Sequence, residues 1–200
     1  RMTPAAVIPM HTPDEALAEL DHVASLGLKA IMLGSLMARP LGELADTDPA
    51  LALRFGWLDP LGLDSAHDYD PVWARCVELG FAPTFHTGSR RYGLRTSPSN
   101  FVYNHIGHFA AASEAVAKAL FLGGVTRRFP QLRVAFLEGG VAWACTLLAD
   151  LVGHWEKRNL SALEATKPTN LDVDGLIDLA RRYDPDMAAA LEARADHLRS

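Results

Sequence analysis

Residues 81–89, FAPTFHTGS, run from an apolar stretch into a histidine, His86, and then into small turn residues. Residues 132–140, LRVAFLEGG, repeat the arrangement with a carboxylate, Glu138, ahead of Gly139 and Gly140. An imidazole and a carboxylate that end two such stretches suit either a metal pair or a general acid/base pair. A catalytic zinc takes three protein ligands and keeps an open position, so a metal here needs further donors. His11, which follows the apolar run AAVIPM at 5–10, is either such a donor or a polar residue ahead of a helix cap.

Other groups carry two readings each. His105 and His108 in NHIGHFA are three apart, which places both on one face of a helix. That spacing suits a ligand or substrate pair, and it equally suits helix packing. Arg90, Arg91 and Arg95, with Tyr92, follow His86 in a loop and read as a clamp for a substrate carboxylate or as solvated charge. Gly139-Gly140 ahead of a helix offers free N–H groups to an anion, or permits close packing. His154-Trp155, late in a helix, complements the dipole or makes a subunit contact.

The elements that must hold these residues alternate between two periods. AAVIPM reads as a strand, and Thr12-Pro13-Asp14-Glu15 then reads as a helix start with a capping hydroxyl and a proline in the first turn. That helix keeps Leu17, Leu20, Val23 and Ala24 on one face and stops at Gly27. LKAIMLG at 28–34 is the next strand, followed by a long excursion over 35–69 with little periodicity. Asp70-Pro71 opens a second helix by the same capping chemistry, and Gly80 ends it directly before FAPTF. A third helix is expected over 102–120, a short turn through 125–129, the strand LRVAFLEGG, and a fourth helix over 141–157. Residues 172–182 and 185–198 read as two further helices with no strand between them.

Four βα units with a helical tail imply parallel strands and right-handed crossovers. The fold class is α/β, either an open sheet or an arc of a (β/α)8 barrel; a complete barrel takes about 250 residues. Residues 1–171 are read as the barrel portion and 172–200 as a helical tail of the same domain. Ligand sites lie at the C-terminal ends of the strands in both architectures. Alternation puts Ala82, Thr84 and His86 on one face, with Phe81 and Phe85 towards the helices. Glu138, Phe136 and Val134 share a face of the later strand, and parallel neighbours about 5 Å apart bring Glu138 to His86.

Bulk properties exclude several classes. The 200 residues carry a net charge of −5, with 49% hydrophobic and 22% charged residues, which leaves no basic footprint for nucleic acid or anionic membrane. No apolar run approaches the ~20 residues of a membrane span, and no leader is evident, so a cytoplasmic location is expected. Cys76 and Cys145 read as buried free thiols. No GxGxxG or P-loop fingerprint follows the first strand.

HTGS, the run YNHIGHFAAASEAVAKALFLGGVTRRFPQLRVAFLEGGVAWA and the segment LLADLVGHWEKRN resemble the metal-dependent amidohydrolase-related proteins. That branch of the amidohydrolase superfamily includes aminocarboxymuconate semialdehyde decarboxylase. The resemblance covers most of residues 5–160 and is most specific over 121–140. It implies a partial (β/α)8 TIM barrel whose strands correspond to the family's strands 3 to 6, with a divalent metal, zinc in the first instance, at the strand ends. His86 then matches the metal-ligating histidine of strand 5. Glu138 stands where decarboxylase members carry a histidine acid/base on strand 6. The family's HxH pair on strand 1 and aspartate on strand 8 have no counterpart, so the chain reads as part of a longer protein or a truncated product.

The resemblance therefore implies a hydrolase that acts on a small organic substrate through a metal-activated water. His86 holds the metal, Glu138 acts as the catalytic acid/base, and Arg90, Arg91, Arg95, His105 and His108 are candidate substrate contacts. The alternatives are a decarboxylase of the same family, a non-catalytic incomplete barrel that packs on another chain or survives as a degenerate scaffold, or an open-sheet module binding an anion at Gly139-Gly140; a homo-oligomer is a separate expectation.

Overall fold

The chain opens with β1 (Ala5–Ile8), α1 (Pro13–Ser25) and β2 (Ala30–Leu33) in a computed structural model that describes residues 2, 4–52, 55–86, 97–164 and 167–199. Next come β3 (Met37–Pro40), α2 (Gly42–Thr47), α3 (Pro49–Ala52), β4 (Gly56–Asp59) and α4 (Asp70–Leu79). They are followed by β5 (Pro83–Phe85), α5 (Phe101–His105), α6 (His108–Leu122), α7 (Val125–Arg128), β6 (Ala135–Phe136) and α8 (Ala142–Arg158). The chain divides into two units, residues 1–147 and 148–200.

In the first unit, four parallel strands stand in the order β1-β2-β5-β6. Their register makes two rows. Ile8, Leu33, Phe85 and Phe136 form one; the first three are buried in a core with Leu20 and Val23 of α1, Val72, Trp73 and Cys76 of α4, and Val116 and Leu120 of α6, and Phe136 packs against it. Val7, Met32, Thr84 and Ala135 form the opposite row, and Val7 is 64% exposed. The α/β reading with helical crossovers is the observed one.

The joints follow their local chemistry. The Thr12 hydroxyl accepts the Glu15 N–H at 3.3 Å, Pro13 begins α1, and Gly27 and Gly80 follow their helices at φ +70° and +67°. Asp70 behaves differently from expectation. It lies inside α4, and its carboxylate receives the Arg128 guanidinium at 2.5 and 2.8 Å. A long-range charged partner has replaced the local cap.

The 35–69 excursion contains structure that periodicity did not reveal. β3 and β4 pair antiparallel, Met37 opposite Asp59 and Pro40 opposite Gly56. Asp59, fully buried, accepts hydrogen bonds from Arg39 Nε at 3.0 Å, Ser65 Oγ at 2.8 Å and the backbone N–H groups of Leu61 and Ala66. Arg39 also donates to the Tyr69 hydroxyl at 2.7 Å, which in turn donates to the Met10 carbonyl at 2.6 Å. The ribbon is thus tied to the C-terminal end of β1. Burial pushes the Tyr69 phenol up, against the lowering influence of Arg39.

Three further expectations are corrected. The helix over 102–120 breaks at Gly107, whose φ of +75° ends α5 and begins α6. The strand expected over 132–140 pairs only at Ala135 and Phe136. Cys145 is exposed, whereas Cys76 is buried as expected; α8 has no buried residue to shelter a thiol.

In the second unit, α9 (Leu160–Leu163) and a 3-10 turn at Pro168–Asn170 precede α10 (Val173–Tyr183), α11 (Pro185–Glu192) and α12 (Ala195–Arg199). Val173, Ile177 and Ala180 of α10 and Ala188 of α11 are buried, and Arg181 pairs with Asp178 and Glu192. Asp172 and Asp184 cap α10 and α11 by accepting the Gly175 and Met187 N–H groups. Among the described residues no helix is long and apolar enough to cross a membrane.

Candidate active site at the strand ends

The β-ladder runs one step beyond its strands. The His86 N–H donates to the Leu33 carbonyl at 3.1 Å, and the Leu137 N–H donates to the Phe85 carbonyl at 3.0 Å. His86 therefore leaves the sheet at a defined height, and alternation continued from Thr84 assigns it to the Thr84 face. Its Nε2 lies 3.2 Å from Glu138 Oε2, with the side chains 31% and 61% exposed. The two residues singled out by their positions in the sequence do meet.

They do not meet by the expected route. Phe85 pairs with Phe136, and the two rings stack at 5.4 Å, so Phe136 faces the helices. Regular alternation would carry Glu138 to that same face, away from His86. Instead Glu138 adopts φ +60° beyond the end of β6. For a residue with a β-carbon that conformation costs about 1–2 kcal/mol. The left-handed backbone breaks the alternation, and the carboxylate reaches His86 across the strand ends.

The EGG turn is held from below. Trp143 Nε1 donates to the Gly140 carbonyl at 2.9 Å, and its ring meets Phe136 edge-on at 5.2 Å. A β-carbon at Gly139 would lie 3.0 Å from Trp143 Nε1 and 3.3 Å from Ala110 Cα. Gly139 thus serves close packing.

An aromatic group borders the pair. The Phe109 ring lies 5.4 Å from that of His86 and 7° from parallel, and it also contacts His108 at 4.1 Å and His105 at 6.1 Å. His105 and His108 are 4.8 Å apart, brought together across the Gly107 turn and not along one helix face. Phe109 was not singled out in the sequence; its signal was its place directly after His108, two residues past a glycine. The buried Ser35 hydroxyl, just beyond β2, has no hydrogen-bond partner among the described residues.

The remaining candidates lie apart or outside. The His11 ring is 4.0 Å from Glu15, with its side chain 71% exposed, and its carbonyl accepts Arg39. Arg90, Arg91 and Arg95, with Tyr92, lie outside the described residues. His154 and Trp155 are exposed on α8. Among the described residues no group of three His, Cys, Asp or Glu side chains is placed to hold a metal ion. His86 and Glu138 are two donors where a catalytic zinc uses three, so the described residues by themselves fall short of a metal site.

A family model described as amidohydrolase matches residues 1–168. Among solved structures, the chain is similar to an amidohydrolase from Mycobacterium avium subsp. paratuberculosis K-10, at 22% identity and a TM-score of 0.51. That likeness covers 76% of this chain and 36% of the other, so the chain spans little more than a third of its length. No curated protein matches the chain.

Proposed function

Because the chain belongs to the amidohydrolase family, we propose that the protein containing it is a hydrolase of a small organic substrate, with His86 and Glu138 at its reacting centre. One observation carries the reading: a carboxylate and an imidazole 3.2 Å apart at the C-terminal ends of neighbouring parallel strands. In it, Glu138 takes the proton of the attacking water and returns it to the leaving group. His86 orients the carboxylate through Nε2.

Members of the superfamily generally use divalent metals. In this reading His86 would also hold such a cation, zinc in the first instance, together with donors from outside the described residues. Such a cation would supply Lewis-acid polarisation of the substrate or of a water.

The test is metal analysis of the intact protein, with turnover of a panel of small esters, lactones and amides. His86→Ala should lose both metal and turnover. Glu138→Gln should retain metal and lower kcat by about 10²–10⁴, the usual worth of a general acid–base group. Full activity and metal content in His86→Ala would refute the assignment. Release of carbon dioxide from carboxylic acids, with no hydrolysis, would favour the decarboxylase branch.

A further inference from the structure

We propose that Phe109 is a positioning residue that fixes the plane of the His86 imidazole; the catalytic consequence rests on the acid–base reading above. A histidine side chain has two torsions to settle. The approach of Nε2 to within 3.2 Å of Glu138 Oε2 locates one atom, but the ring can still rock about its stem, and the direction of its lone pair or proton rocks with it. Phe109 removes that freedom, because its ring lies 7° from parallel with the imidazole at a centroid separation of 5.4 Å, within the offset-stacked range.

Phe109 is itself held. His108 touches it at 4.1 Å and His105 meets it edge-on at 6.1 Å and 84°. The same first turn of α6 also seats the carboxylate. Ala110 adjoins Gly139, and a β-carbon on that glycine would lie 3.3 Å from Ala110 Cα. One helical turn therefore touches both halves of the pair, Phe109 on the imidazole and Ala110 on the backbone beside Glu138. Gly107, at φ +75°, starts the helix at the place that allows it.

The experiment follows the His86 ring protons by NMR in the intact protein labelled at histidine, assigned by their loss in His86→Ala. At about pH 9, where free imidazoles are neutral, the wild-type His86 ring protons should lie upfield of those of the exposed His22, from the ring current of Phe109. Phe109→Leu, which keeps apolar bulk, should move them downfield, and Phe109→Tyr should restore them. On any panel substrate turned over, Phe109→Leu should lower kcat about two- to tenfold with KM unchanged, the range that the worth of one stacked pair allows. Wild-type His86 protons without the upfield shift would overturn the proposal even if the leucine variant does not fold. So would His86 signals that do not move in a folded Phe109→Leu. If hydrolysis survives both His86→Ala and Glu138→Gln, the acid–base reading fails, while the NMR result still decides whether Phe109 sets the ring.

Discussion

Asp59→Ala tests whether the Arg39–Asp59–Tyr69 network holds the ribbon to the end of β1. Asp59 is fully buried, and the Arg39 side chain is 11% exposed. The substitution removes an acceptor of four hydrogen bonds, one from the guanidinium, one from a hydroxyl and two from backbone N–H groups. Breaking a buried pair by removing one partner costs about 3–5 kcal/mol, mostly for the charge left behind. Arg39 keeps its bonds to Tyr69 and to the His11 carbonyl, and exposed Ala66 can turn its freed N–H to water while that of buried Leu61 is left unpaired, so about 3 kcal/mol is expected. The assay is urea unfolding followed by tryptophan fluorescence, since the buried Trp73 ring lies 6.3 Å from that of Tyr69. With a slope of about 2 kcal/mol per molar urea, the midpoint should fall by about 1.5 M. The double variant Asp59→Leu/Arg39→Met should lose less than Asp59→Ala, because no unpaired charge remains. A single-variant midpoint unchanged from wild type, or a double variant weaker than the single, would refute the reasoning.

Thiol chemistry should separate the two cysteines: dithiobis(nitrobenzoate) should titrate Cys145 in the native protein and Cys76 only in denaturant, matching their exposed and buried positions. Burial pushes the Cys76 thiol from 9.0 up to about 12. The folded chain therefore keeps a proton that the unfolded chain releases, so this contribution is complete below pH 9 and declines as pH rises towards 12. The slope from this group, up to about 1.4 kcal/mol per pH unit, should disappear in Cys76→Ala; an unchanged alkaline slope would count against it. Gly123→Ala should lower the thermal midpoint by several degrees, because a β-carbon there would overlap the Gly62 carbonyl oxygen; a midpoint equal to wild type would show that the loop yields freely.

The amino-acid sequence by itself determined the alternation of strands and helices, the glycine stops, and the placement of His86 and Glu138 just past strand ends. These features are local. A period of 2 or 3.6, a capping hydroxyl or a glycine that can take positive φ acts within a few residues. Tertiary structure decided the rest. The Asp70 carboxylate left its local capping role for Arg128, and the β3–β4 ribbon formed around a buried charge pair whose members are twenty residues apart. The convergence of the candidate site shows the division most clearly. Sequence spacing named both residues, but the β5–β6 register directs regular alternation the wrong way, and only the left-handed backbone at Glu138 returns its carboxylate to His86. Such a conformation is disfavoured locally and persists because Gly139 packs on Ala110 and Trp143 holds Gly140. Those contacts join β6 and α8 to the first turn of α6, and no short stretch of sequence contains them.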